Sequence, residues 1–292
     1  MLNIARNRMR ELLKTEQCMT CASVFDPLSS RMADKIGFKV GILGGSVTSL
    51  MTLGVPDISL LTLSELADQA KRVCSASDLP IIVDGDNGYG NSINVMRAVE
   101  EMEHAGAAAI TFEDTILPRP YNEPALSLIS IDEANAKLTA AVKARKDPDF
   151  AIFARTHALN SQSFDEVLRR VRAYSATGID GICIFELHDK EKLALLAEAT
   201  PLPIMLISYG HVELGSREEM AGKNVRIFLN GHHSYEASVK AAYESLLALH
   251  QGSQHPDSQG SAKEIIKAFS QHDKYSALTS DYIFPANSLK VA

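Results

Sequence analysis

The segment Ile81-Ile82-Val83-Asp84-Gly85-Asp86-Asn87-Gly88-Tyr89-Gly90 constrains this chain more than any other. Its apolar start reads as a buried strand. Its glycines read as a turn, or as backbone that must approach a ligand closely. Two carboxylates one residue apart at the end of a buried strand repel each other unless a positive group compensates them. A hard divalent cation does this well, and Mg²⁺ typically combines one or two carboxylates with water and substrate oxygens. Taken alone, the segment fits a plain turn equally well.

Other strand ends repeat the pattern. Ala108–Phe112 is apolar and meets Glu113-Asp114; Phe150–Ala154 meets Arg155-Thr156-His157; Val225–Leu229 meets Asn230-Gly231-His232-His233. Apolar strands with reactive side chains at their C-terminal ends are the layout of a parallel α/β barrel, whose active site lies on that face. Eight strand candidates begin near Thr20, Val40, Ile81, Ala108, Ala151, Gly181, Ile204 and Arg226. Helical periodicity is expected over Ser64–Ser77, Asn91–Ala105, Ile131–Lys146 and Phe164–Thr177. The stretch from Gly44 to Ser64 reads as a long loop. The expected fold is therefore a (β/α)8 TIM-type barrel over residues 1–250, with a leading helix. A linker and helical arm follow over 251–292, the arm being the amphipathic stretch Ala262–Gln271. That arm could cap its own barrel or be swapped between subunits. A dinucleotide-binding doubly wound sheet is disfavoured, because Asp26-Pro27-Leu28 follows the first strand where a glycine-rich turn would be needed.

Composition narrows the function classes. A net charge of −7 gives no general attraction to nucleic acid or to anionic membrane. Arg6, Arg8, Arg10 and Lys14 suggest a transit peptide, but Glu11 and Glu16 argue against one. No apolar stretch makes a convincing membrane span. Four scattered cysteines, Cys18, Cys21, Cys74 and Cys183, suit a reducing cytoplasm. Cys18-x-x-Cys21 lacks the second pair of a zinc site.

The blocks Ser23-Val24-Phe25-Asp26-Pro27-Leu28-Ser29-Ser30, Gly44-Gly45-Ser46, Pro56-Asp57, Asp84–Gly90, Phe112-Glu113-Asp114 and Ala154-Arg155-Thr156 run in order along the chain. In these the chain resembles the isocitrate lyase/phosphoenolpyruvate mutase superfamily, over roughly Thr20 to Leu249. Within it, Gly231-His232 after the eighth strand resembles the bacterial oxaloacetate decarboxylase branch. The lyase signature carrying a catalytic cysteine after strand four is absent; that loop reads Leu117-Pro118-Arg119-Pro120-Tyr121-Asn122-Glu123-Pro124.

The resemblance implies Mg²⁺ (or Mn²⁺) held directly by Asp84, and through water by Asp86, Glu113 and Asp57. It implies a small α-keto dicarboxylate substrate, whose 1-carboxylate meets Gly45 and Ser46, with Arg155 and His232 as substrate-binding and catalytic residues. The implied reaction is decarboxylation of oxaloacetate to pyruvate and CO₂ through a metal-stabilised enolate. Other readings are a 2-methylisocitrate-type lyase, a phosphonopyruvate hydrolase, or a barrel that binds an oxo-acid without turning it over. The resemblance also implies a homo-oligomer, a dimer of dimers. Read as residues alone, Arg155 could be a structural salt bridge, Gly44-Gly45-Ser46 a turn, and His232 a packing histidine. His233 is expected behind the site and His157 at a strand end. Tyr209 and His211 are expected at the mouth. His104, His188, His250, His255 and His272 are expected on the surface.

Overall fold

The computed structural model describes residues 2–123, 125–210, 213–252 and 259–282. Expectations for His211, His255 and most of the linker fall outside these residues. The strands are β1, made of two short runs Met19–Thr20 and Ala22–Ser23, then β2 (Gly41–Leu43), β3 (Ile81–Asp84), β4 (Ala109–Glu113), β5 (Ala151–Thr156), β6 (Gly181–Phe185), β7 (Ile204–Ser208) and β8 (Val225–Asn230). Every neighbouring pair is parallel. The first run of β1 pairs with β8 and the second with β2. The change of partner occurs at Cys21, whose N–H donates to the Phe228 carbonyl at 2.8 Å. The nine runs thus fill eight positions and close the sheet on itself, as expected of a (β/α)8 barrel.

Alternation along each strand sorts the side chains. Ile82, Ala109, Phe153, Cys183, Met205 and Ile227 pack together in the lumen with Ala5, Met9, Leu12 and Leu13 of the leading helix Leu2–Lys14. Ile81, Val83, Ile110, Phe112, Ile152, Ile182, Ile184 and Leu206 pack in the outer layer with helix residues. A period of two puts Asp84 two residues past lumen-facing Ile82 and Arg155 two past Phe153. The same count puts Glu113 four past Ala109. All three therefore reach the C-terminal mouth.

Most helices stand where periodicity places them. Ser92–Ala105 begins at the cap Asn91 and ends at left-handed Gly106. Ile131–Ala144 and Phe164–Ser175 stop slightly earlier than expected. The helix expected from Ser64 starts at Leu63 and is capped by Thr62, whose hydroxyl accepts the Glu65 amide. The stretch read as a loop after Gly44 contains the helix Gly45–Leu53. Its Thr, Ser, Val and Gly residues have poor helix propensity, and burial of Val47, Thr48 and Ser49 overrides this. In the tail, the helix Gln259–Phe269 overlaps the expected arm, and a further helix, His272–Tyr282, follows it. The chain separates into two compact units, Met1–Tyr235 and Glu236–Ala292. Among the described residues no helix is long and apolar enough to cross a membrane.

Candidate active site

The acidic ends of β3 and β4 meet the end of β5 at the barrel mouth. One terminal nitrogen of Arg155 donates to Asp84 Oδ2 at 2.7 Å and the other contacts Glu113, while Nε is buried without a partner. Asp84 also accepts from the Asp86 amide (3.2 Å), Thr111 Oγ1 (3.3 Å) and the Gly45 amide (3.4 Å). The turn after β3 places Asp86 in left-handed backbone at φ 45°, which is uncommon for a residue with a side chain. A Cβ built on Gly45 would stand 3.2 Å from Asp57 Oδ2, 3.3 Å from Asp86 Oδ1 and 3.5 Å from Asp84 Oδ2. Three carboxylates therefore converge on one point, and a side chain there would crowd them. Gly45 and Ser46 begin the helix Gly45–Leu53, so an N-terminal helix end faces the same point.

The electrostatics reflect this crowding. Burial opposes ionisation of Asp84, but the charge and hydrogen bond of Arg155 outweigh it and hold the carboxyl below its usual range. Burial, then the charges of Asp84 and Asp57, push Asp86 up to about 8 against the pull of Arg155. Burial and Asp84 likewise raise Asp57. His157 adds no compensating charge: its Nε2 lies 3.1 Å from Glu113 Oε2, yet burial and Arg155 lower it to about 4.

A cavity of about 320 Å³ opens here, lined by Ile42, Gly44, Ser46, Asp57, Asp84, Arg155, His157, Phe185, Ile207, Tyr209, Leu229 and His232. One wall is a row of rings. His157 lies 4.9 Å from Phe185, Phe185 5.7 Å from Tyr209, and Tyr209 5.8 Å from His232, centroid to centroid. Ser46 shares this lining with Tyr209. No cysteine lines the cavity. Burial pushes the Cys183 thiol up to about 12 and Cys21 higher still. The strand-four loop begins close by, where Asn87 Nδ2 donates to the Leu117 carbonyl at 2.8 Å and Thr115 bridges to Leu128.

The structure brings Gly45, Ser46, Asp57, Asp84, Asp86, Glu113, Arg155 and His232 into one region, together with His157 at its strand end and Tyr209 at the mouth. His233 is exposed, as are His104, His188, His250 and His272. Two groups had no role in the sequence reading. Glu186 Oε1 accepts the Tyr209 amide at 2.8 Å. Asp114, back to back with Glu113, accepts from Thr156 Oγ1 (2.6 Å), the His157 amide (3.1 Å), Arg170 (3.1 Å) and the Tyr174 hydroxyl (2.9 Å).

Residues 9–250 match the model of the phosphoenolpyruvate phosphomutase family. The chain belongs to this family. Relatives include the oxaloacetate decarboxylase of Ectopseudomonas mendocina (strain ymp), 49% identical over 82% of this chain and 83% of that protein. That of Marinomonas sp. (strain MWYL1) is 44% identical over 96% of this chain and 94% of its own. Solved structures agree. Oxaloacetate acetylhydrolase bound to 3,3-difluorooxalacetate superposes with TM-score 0.81 at 30% identity, covering 94% of this chain and 97% of that one. Phosphonopyruvate hydrolase with oxalate and Mg²⁺ gives 0.83 at 27%, covering 96% and 99%.

The residues present fit a divalent cation. Asp57, Asp84, Asp86 and Glu113 face a single firm positive charge, Arg155, and three of these carboxylates share one focus. Among the described residues no group of three His, Cys, Asp or Glu side chains is arranged to hold a metal ion by itself. This suits an ion that takes most of its ligands from water and substrate.

Proposed function

We propose that this chain decarboxylates oxaloacetate to pyruvate and CO₂ with Mg²⁺, Mn²⁺ serving in its place. The observation that carries the reading is the convergence of Asp57, Asp84 and Asp86 on Gly45, in a cavity that also presents Arg155 and His232 but no thiol. Relatives of similar length that carry that name support it. Asp84 would hold the cation directly, and Asp86, Glu113 and Asp57 through water. When bound, the cation supplies Lewis acidity toward the 2-oxo oxygen, where negative charge develops as the distal carboxylate leaves.

The chain's own groups do the remaining work. The Gly45 amide and Ser46 hydroxyl receive the 1-carboxylate at a helix N-terminus, where N–H groups point outward and the dipole favours an anion. Arg155 fixes Asp84 and Glu113 and adds positive charge beside the substrate. His232, 7% exposed at the cavity wall, returns a proton to the carbon that loses CO₂. The apolar side chains of Phe185, Ile207 and Leu229 limit water around the reacting end.

The test is pyruvate formation from oxaloacetate, 2-methylisocitrate and phosphonopyruvate, each with Mg²⁺ and with chelator, corrected for the metal-catalysed background. Mg²⁺-dependent turnover confined to oxaloacetate is expected. Preferred cleavage of either alternative would overturn the reading.

We also propose a homo-oligomer, a dimer of dimers, located in the cytoplasm. Exposed Val239, Tyr243, Leu246, Ile265, Ile266 and Tyr282 are apolar surface that a second copy would cover, and the four free cysteines suit a reducing compartment. Truncation after Gln251 should give smaller species by light scattering; an unchanged mass would count against a role for the tail in assembly.

A further inference from the structure

Ser23 ends the second run of β1, and both its side chain and its main chain reach the segment after β8. Its hydroxyl lies 2.7 Å from His232 Nδ1. Its carbonyl accepts from Ser234 Oγ at 2.9 Å. Next to it, Phe25 packs edge-on against Tyr235, with centroids 5.4 Å apart. The adjoining Cε1–Nε2 edge of the imidazole is pressed against Gly44, where a Cβ would stand 2.7 Å from Cε1 and 3.0 Å from Nε2. Tyr209 meets the ring edge-on. The imidazole is thus located by three separate strand ends, with its Nε2 edge at the strand end that begins Gly44-Gly45-Ser46.

We propose that Ser23 is a positioning residue for His232: its O–H donates to Nδ1, which selects the tautomer carrying the proton on Nε2, at the cavity wall. A hydroxyl can donate or accept, and in a neutral imidazole the nitrogen that accepts leaves its proton on the other. The direction follows from the proposed reaction, which needs His232 as a proton donor, and to that extent the inference rests on the decarboxylase reading. The proton moves from Nε2 to the substrate carbon that has kept the electron pair of the broken C–C bond; the imidazolate left behind, with the Ser23 hydroxyl still donating to Nδ1, takes a proton from solvent at Nε2. Ser23 keeps its own proton throughout.

Two measurements test this. In steady-state decarboxylation, Ser23→Ala should lower kcat by roughly 10- to 100-fold, the usual loss when an orienting partner is removed, with KM changed less than about threefold. Ser23→Thr, which keeps the hydroxyl, should recover most of that loss. A purely structural role would instead lower the melting temperature and spare kcat in the folded fraction. Independently of any substrate, long-range ¹H–¹⁵N spectra of the labelled full chain, with His232→Gln to assign the signals, should show Nε2 protonated and Nδ1 as acceptor. In Ser23→Ala that pattern should give way to a tautomer mixture. Nδ1 protonated in the wild type, or Ser23→Ala with unchanged kcat and spectrum, overturns the proposal. A wild-type protein that makes no pyruvate defeats the decarboxylase reading instead, and the spectra still decide the role of Ser23.

Discussion

The two ends of the barrel hold the same kinds of charge to opposite effect. At the N-terminal end, cations and acceptors are matched. Arg6 donates to the Ala107 carbonyl (3.0 Å), the Glu103 carbonyl (2.5 Å) and Asp147 (2.6 Å). Arg10 and Arg145 share Asp180, whose carboxylate also accepts the Ile152 amide. At the C-terminal end, Asp57, Asp84, Asp86 and Glu113 crowd around Arg155, and Asp86 is driven up to about 8. A matched buried cluster locks a helix under a barrel. A mismatched one has an unmet need for charge, which is what makes it a candidate site.

This contrast predicts which end changes activity and which changes stability. The largest effect should come from Asp84→Ala, which removes the proposed direct metal ligand: turnover should fall below detection and Mn²⁺ binding, read by calorimetry, should vanish while the fold survives. Near wild-type activity would defeat the metal-site reading. His232→Ala should reduce kcat by about 10²- to 10⁴-fold, the usual effect of losing a positioned acid–base group. At the opposite end, Arg6→Ala should leave activity per folded molecule unchanged. It should cost about 2–4 kcal/mol in urea denaturation, somewhat below a fully buried broken pair because Asp147 is partly exposed.

The mismatch also has a pH signature. Without a cation, folded Asp86 keeps its proton to about 8, whereas an unfolded aspartate releases it near ~3.9. Between these limits the folded state binds more protons, so stability falls as pH rises. His157, lowered to about 4 when folded, opposes this trend only below its unfolded value of ~6.5, so melting temperature in EDTA should be lower at pH 8 than at pH 7, and saturating Mg²⁺ should stabilise the protein more at pH 8. Equal stabilisation at both pH values would remove the electrostatic case for the cation. The smallest effect is expected from replacing all four cysteines by serine or alanine: kcat should stay within about tenfold, roughly 1.4 kcal/mol. A cysteine-dependent enzyme with an expendable His232 would revive a lyase reading.

What could be read from the sequence followed from period and position. Apolar runs ending in Asp84, Glu113 and Arg155 declare both the strands and the face on which they end, because side-chain alternation is a local rule. The helix Gly45–Leu53 could not be read the same way. Its residues favour other conformations locally, and its helicity comes from burial of Val47 and Thr48, a tertiary effect. The Asp114 cluster and the Ser23–His232 pair were hidden for a different reason. Each joins residues far apart in sequence whose meeting depends on the closed sheet, and neither serine nor aspartate shows by its neighbours which distant group it will bind. The polar helix His272–Tyr282 has no apolar stripe strong enough to announce it.

The split first strand sets a schedule for the nascent chain. Met19–Thr20 has no partner until Val225–Asn230 exists, and Ser23 waits 209 positions for His232. At ribosomal speeds of ~5–20 residues per second that is a delay of roughly 10–40 s. During this time the opening strand has one open edge and the site lacks its histidine. On the role proposed for His232, catalytic competence would arrive with ring closure as a single late event, and a chain released before β8 should be inactive.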